Sequence, residues 1–233
     1  MAEPGKYRKA IAAAFPDYRF SWEIYTDLIL ERLNDKPFWL DLGAGANTII
    51  REQPGAGFAL GIDKEKPADA FINGHTAYCI ADIHRLPLKS KSFDFITSRY
   101  TFEHLADPEM ALREAGRILR PGGTLIIQTT NCRNPLLILS RLIPHFVKKP
   151  LYRVLFGDPP SGIYKTYYRI NTPKRLFRKI DDLRPKKLYL VEDILYNSKI
   201  FFYGSFFMYR LLRFLGLESL YGNMIAVYEK DEY

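Results

Sequence analysis

Asp41, Gly43, Gly45 and Asp63 are the residues whose types and spacing first suggest chemistry. In "FWLDLGAGANTII", residues 38–50, an apolar run gives way to an acid and then to two glycines. Glycine at 43 and 45 lets the backbone bend tightly and approach a ligand with no Cβ in the way. A following helix would aim its N-terminal amides at the bound group. Asp63 closes a second apolar run 20 residues after Gly43. That spacing suits a carboxylate that accepts two adjacent ribose hydroxyls in a nucleotide-binding βαβ unit. The expected ligand therefore carries a nucleoside.

Two ligand classes compete for such a turn. A nicotinamide or flavin dinucleotide brings a pyrophosphate, which prefers G-x-G-x-x-G with no acid nearby. Here Thr48 stands at the sixth position of that pattern, and Asp41 already precedes the first glycine. Asp41 would repel a pyrophosphate but suit a ligand bearing an ammonium and a sulfonium. S-adenosylmethionine is such a ligand, and it offers Asp63 a ribose. A dinucleotide-dependent oxidoreductase, and a non-catalytic domain that keeps the pocket for binding or regulation, stand as alternatives.

The elements that must position these residues follow from the apolar pattern. "YRFSWEIYTDLILERL" places Trp22, Tyr25, Leu28, Ile29 and Leu33 at helical spacing. "PFWLDLG", "FALGIDK", "AYCIADI", "FDFITSRY" and "GTLIIQTT" read as five strands, with "ANTIIREQPG" at most a brief helix between the first two. Near-continuous apolar strands predict a parallel sheet covered on both faces. "DPEMALREAGRILRPGG" reads as a helix capped by Asp107, with Pro108 in its first turn. Ala111, Ala115, Ile118 and Leu119 form its apolar face, and Pro121-Gly122-Gly123 is expected to stop it. "KKLYLVEDIL" and "NMIAVYEKD" are two closing strands, separated by the apolar block "IFFYGSFFMYRLLRFLGL". That block is too short to span a bilayer, which takes ~20 residues. It is either core or cover, or an amphipathic segment lying on a membrane or a lipid-like substrate.

"LDLGAGA", "GIDK" and "ADIHRLPLKSKSFDFITSRYTFEHLADPEMALREAGRILRPGGTLIIQT", taken in order, resemble the class I S-adenosylmethionine-dependent methyltransferases, in particular the methyltransferase type 11 subgroup. The resemblance covers roughly residues 36–130. The family's glycine motif usually reads D-x-G-x-G-x-G, and Ala46 here replaces its last glycine. The resemblance implies an α/β, Rossmann-like sheet of seven strands with the last antiparallel, helices on both faces and an insertion after the fifth strand. It divides a single domain, 1–233, into an N-terminal helical cover (1–35), a cofactor-binding half (36–130), an insertion forming the substrate cover (131–183) and closing strands with an apolar helix between them (184–233). It implies that Asp41, Gly43 and Gly45 line the methionine end of the cofactor and that Asp63 holds the ribose. Asp82 would accept from the adenine amino group, with Ile83 against the ring and Arg99 near the methionine portion or the substrate mouth. Ala44 and Lys64 complete the cofactor-binding set. Asp82 as a local cap is the alternative reading.

Methyl transfer is an in-line displacement in which the protein aligns nucleophile and methyl and manages one proton. An oxygen nucleophile gains from a base titrating near neutrality, so histidine is the natural candidate. His104 in "TFEHLAD" falls just past the fourth strand, at the carboxyl edge where ligands sit in such sheets. His84 is less well placed, and His75 and His145 have no motif context. The alternative is that the Glu103-His104 pair only fastens a loop. Further on, "YKTYYRINTPKRLFRKI" predicts a helix starting at Thr172-Pro173, with Leu176, Phe177 and Ile180 inward. Arg169, Lys174 and Arg175 gather at that N-terminus, a place that attracts anions. Tyr168 and Arg169 are the candidate substrate contacts, and a saccharide or lipid-linked acceptor is the expectation from the resemblance.

Composition narrows the rest. The 233 residues are 47% hydrophobic and 26% charged, an ordinary globular balance. The net charge of +8 is lopsided: residues 135–233 hold 17 basic and 9 acidic side chains, whereas the first 134 are balanced. That excess suits an anionic substrate or a membrane surface touched peripherally, or is a solvated face. No nucleic-acid recognition motif accompanies it, so nucleic acid is not the expected partner. Cys79 and Cys132 form no CxxC, which supports neither a disulfide framework nor a zinc site. "MAEPGKYRKA" has no apolar stretch behind its charges and does not read as a secretory signal. A cytoplasmic setting, with contact to a membrane surface as the variant, is the default expectation.

Overall fold

The structure, a computed structural model, describes residues 4–46, 48–67, 69–142, 165–196 and 198–232. The middle of the expected substrate cover, residues 143–164, lies outside them, as does His145. The elements run α1 (Pro4–Ala14), α2 (Ser21–Leu33), β1 (Phe38–Leu42), α3 (Thr48–Glu52), β2 (Phe58–Asp63), β3 (Thr76–Ile80), β4 (Phe93–Arg99), a 3₁₀ turn (Phe102–His104), α4 (Pro108–Ile118), β5 (Leu119–Thr130), α5 (Pro135–Leu142), α6 (Pro173–Leu176), β6 (Leu183–Val191), α7 (Lys199–Phe214), a second 3₁₀ turn (Glu218–Leu220) and β7 (Asn223–Lys230).

The seven strands form one sheet in the order β3-β2-β1-β4-β5-β7-β6. β1 to β5 are parallel, and β7 runs antiparallel to both β5 and β6. This is the expected seven-stranded sheet with its last strand reversed. The order reverses between β1 and β4, which opens a crevice at the carboxyl ends of those strands, where ligands of such sheets bind.

Side-chain alternation divides the core. Leu40, Leu42, Ile62, Ile96, Leu125 and Ile127 face one way, onto the fully buried Ala111, Leu112, Ala115 and Ile118 of α4. Trp39, Phe95, Ile126 and Ile225 face the other way, onto Tyr25, Ile29 and Leu33 of α2. The Asp107 carboxylate accepts from the Met110 amide at 3.1 Å and caps α4 as expected. At the other end of α4, buried Lys230 donates to the Gly116 carbonyl at 2.6 Å and the Leu119 carbonyl at 3.0 Å. A cation there offsets the helix's negative pole.

Four details depart from the sequence reading. A further helix, α1, precedes α2, because Tyr7 and Ile11 find an apolar partner in α7 that is far away in sequence. Trp22 points outward, 43% exposed, so the buried face of α2 is Ser21, Tyr25, Ile29 and Leu33. Pro121-Gly122-Gly123 lies inside β5 as an irregularity in its pairing with β4, because α4 already ends at Ile118. The helix expected at Thr172 is a single turn, and its capping bond from Arg175 to the Thr172 hydroxyl spans one turn only. With no stacked peptides behind it, the anion-attracting pole expected at Arg169, Lys174 and Arg175 does not form there.

Candidate functional site

β1 ends in Asp41 and the glycine bend, and β2 beside it ends in Asp63. Gly43 adopts φ +75° and Gly45 φ +51°, a region that side chains disfavour. The two glycines serve different ends. A Cβ on Gly43 would meet Thr101 Oγ1 at 2.1 Å, so that glycine is imposed by packing. A Cβ on Gly45 would meet nothing within 4 Å, so its bare side opens on space.

The amides of the bend point inward. Gly43 and Ala44 both donate to the Ile62 carbonyl, at 2.8 and 3.0 Å. Gly45 donates to Asp63 Oδ2 at 2.9 Å. α3 is a five-residue helix. The amides of Gly43, Ala44 and Gly45 are thus spent within the fold, and none of the three is left to cradle a pyrophosphate. Asp63 Oδ1 accepts from the Lys64 amide at 2.7 Å, so this carboxylate joins the end of β2 to the bend.

Asp41 is 3% exposed. Its Oδ1 accepts from the Thr97 hydroxyl at 2.6 Å, and that oxygen in turn accepts from the Trp39 indole at 2.7 Å. Burial pushes the Asp41 carboxyl up to about 7, against the pull of the Thr97 hydrogen bond and the Arg99 charge. The Tyr25 hydroxyl, wholly buried on α2, lies against Thr97 and the Ser98 backbone and feels the Asp41 charge. A buried acid held near neutrality fits a cationic ligand, which would restore its ionised form. Together with the open side of Gly45 and the placement of Asp63, these residues fit S-adenosylmethionine.

The remaining sequence-derived residues are arranged as follows. Arg99, half-buried at the tip of β4, stands close enough to Asp41 to lower its titration point. Asp82 is largely exposed, and its Oδ1 accepts from the His84 amide at 3.0 Å and contacts His84 Nδ1 at 2.6 Å. It thus closes a local turn, and those bonds hold its carboxyl below the usual range. Ile83 is buried in the main core, which leaves little of its side chain to face a ring. Glu103 is buried, accepts from Thr129 at 2.7 Å and is raised by burial. Its carbonyl receives the amides of Tyr167 and Tyr168. His104 Nδ1 lies 3.0 Å from the Lys165 carbonyl, a contact that needs its proton on Nδ1. The neutral ring then carries its lone pair on Nε2. Tyr168 adopts φ +50°, and Arg169 lines a cleft of about 280 Å³ with Asp107, Glu109, Arg175 and Arg178.

A polar row escaped the sequence reading. On the α2 face of β5, Gln128 Nε2 donates to Ser21 Oγ at 2.9 Å and to the Tyr100 hydroxyl at 3.0 Å. Tyr100 donates to Asn223 at 2.9 Å, and Asp193 receives Ser21 and Asn223. Gln128 Oε1 and Thr130 Oγ1 are buried without a partner. Gln128, a polar residue within an apolar strand, was the signal available for it.

A family model described as a methyltransferase domain matches residues 40–127. The malonyl-[acyl-carrier protein] O-methyltransferase of Marinomonas sp. is 30% identical over 141 residues, covering 53% of this chain and 52% of that protein. The chain spans between about a quarter and a half of the length of the curated relatives it matches. An S-adenosylmethionine-dependent methyltransferase structure from Methanosarcina mazei superimposes with a TM-score of 0.57 at 18% identity, over 88% of this chain and 98% of that one. The [4+2]-cyclase SpnF superimposes with a TM-score of 0.58 at 18% identity, over 91% and 84% of the two chains.

Proposed function

From the premise that residues 40–127 form a class I S-adenosylmethionine-dependent methyltransferase domain, we propose that this chain methylates a small, polar acceptor, a saccharide or a lipid-linked saccharide, at a membrane periphery. The observation that carries the reading is Asp41, buried and held near neutrality at the tip of β1 beside the open side of Gly45.

S-adenosylmethionine, when bound, supplies a methyl group on a positively charged sulfur. Asp41 balances the charge of the methionine end, and Arg99 stands beside it for the carboxylate. Asp63 holds the ribose hydroxyls and keeps the Gly45 bend closed. Asp82, Lys64 and Ala44 border the remainder of that ligand. Alignment does most of the work, because the leaving group is already activated. His104, with its proton on Nδ1, takes up the acceptor's proton at Nε2.

Two features support the acceptor class. The unpaired oxygens of Gln128 and Thr130 suit hydroxyl donors. Arg169 is exposed, without an ion-pair partner among the described residues, in a cleft where Arg178 is already paired with Glu109, so Arg169 and Arg175 are the cations left for an anionic group. The test is titration calorimetry with S-adenosylmethionine, followed by mass spectrometry of a host extract incubated with labelled cofactor. Cofactor binding with label appearing on a hydroxylated small molecule is expected. Absence of binding, or tighter binding of a nicotinamide dinucleotide, overturns the reading.

A further inference from the structure

α7 is apolar on both sides. Inward, Phe202, Tyr209 and Leu212 pack with Tyr7, Ile11 and Phe20 as a separate cluster. Outward, Ile200, Tyr203, Phe207, Leu211 and Phe214 follow one another at spacings of three and four, so they share a stripe. Ile200 is 83% exposed, Phe207 65% and Phe214 85%. A helix that is hydrophobic all round is normally buried, and so wide an uncovered apolar face marks an interaction surface. The chain leaves α7 through exposed Leu215 and Leu217 to Leu220. Leu220 is one wall of an open groove of about 600 Å³ whose other lining includes Pro135, Ile138 and Leu139 of α5.

We propose that this face rests on a bilayer surface rich in anionic lipids. The charge around it is complementary. α7 carries Lys199, Arg210 and Arg213 and no acid, and of these Arg213 is taken up by the Asp17 carboxylate. Lys199 and Arg210 are exposed without an ion-pair partner among the described residues. α1, stacked on α7 through Tyr7 and Phe202 at 4.3 Å, adds exposed Lys6 and Lys9. Apolar insertion and cationic attraction together are what a helix lying in an interface needs. The same charge disfavours a second copy, since residues 135–233 hold the whole excess and would meet themselves. No helix among the described residues is long and apolar enough to cross a membrane, and the sixteen residues of α7 reach only about 24 Å. The orientation agrees with the chemistry. β6 runs parallel to β5, so the chain enters α7 from the carboxyl edge of the sheet, and it returns to that edge to begin β7. The apolar face therefore belongs to the cover of the edge that holds Asp41 and Gln128. The inference rests on the proposed reading only for what the docking serves, the capture of a lipid-borne acceptor.

The test is co-sedimentation of the whole chain with vesicles of phosphatidylcholine alone and of phosphatidylcholine mixed with phosphatidylglycerol. Binding to the mixed vesicles is expected, weakened roughly tenfold or more in a variant combining Ile200→Ser, Phe207→Ser and Phe214→Ser. Arg210→Glu, or raised salt, should weaken it by less. Calorimetry on each variant keeps the two readings apart: cofactor affinity is expected to be unchanged when vesicle binding is lost. The proposal fails if the triple variant binds as well as the unmodified chain, if the unmodified chain ignores the mixed vesicles, or if ultracentrifugation shows a dimer that the triple variant dissolves. A chain that docks on vesicles but binds no cofactor sinks the methyltransferase reading alone.

Discussion

The Thr97 hydroxyl donates to Asp41 at 2.6 Å while accepting from the Trp39 indole at 2.7 Å, so one side chain on β4 carries both the buried tryptophan and the buried acid of β1. Thr97→Val keeps the shape and removes both bonds. Stability is expected to fall by ~1–3 kcal/mol, as for buried groups left unpaired. Cofactor affinity should fall as well, because Asp41 becomes harder to ionise. Denaturant melts and calorimetry on the same variant check the two effects.

Asp41→Asn separates stability from binding. The amide still accepts from Thr97 but carries no charge, so the cost of burying an ion disappears. The unliganded chain is expected to be as stable as the parent or more so, with cofactor affinity at least tenfold weaker. A melt showing a large loss of stability would mean that Asp41 serves the fold, not a cation.

The pH dependence has a definite sign. Asp41 titrates at about 7 in the folded chain against an ordinary 3.8, so between those values the folded state holds more protons than the unfolded one. Stability of the unliganded chain therefore declines as pH rises through that window and levels off above it. Glu192, raised to about 7 by burial, acts in the same direction. Cofactor affinity does the reverse, climbing up to about pH 7 with one proton released per ligand. Calorimetry in buffers of different ionisation enthalpy reads that proton, and Asp41→Asn should abolish it.

Asp63→Ala is expected to weaken cofactor binding by ~1–3 kcal/mol, the cost of unpaired hydroxyls plus a Gly45 amide without its acceptor. Unchanged affinity would remove the ribose role.

His104→Ala should lower kcat well beyond its effect on cofactor affinity, by roughly 10²-fold if it serves as base. Equal turnover would leave it as the clasp that its bond to the Lys165 carbonyl already makes it.

Legibility in the sequence followed the range of the interaction. The strands, the α4 cap at Asp107 and the acid-glycine-glycine-acid constellation were readable because each depends on neighbours in the chain: alternation, a capping side chain, a bend that needs positive φ. The single turn at Thr172, the packing of α1 on α7 and the inward amides of the glycine bend were not, because each depends on a partner far away in sequence.

The amino-acid order alone determined that two acids end adjacent strands around a flexible bend, and that residues 135–233 carry the excess charge. Only the tertiary structure decided what Asp41 is. Its burial, the bond from Thr97 and the nearness of Arg99 come from strands more than fifty residues apart, and those surroundings turn an ordinary carboxyl into one poised near neutrality. It was likewise the folding of α1 onto α7 that sorted the aromatic residues of 199–214 into an inner face and an outer one, since burial belongs to the assembled elements and not to the residue types.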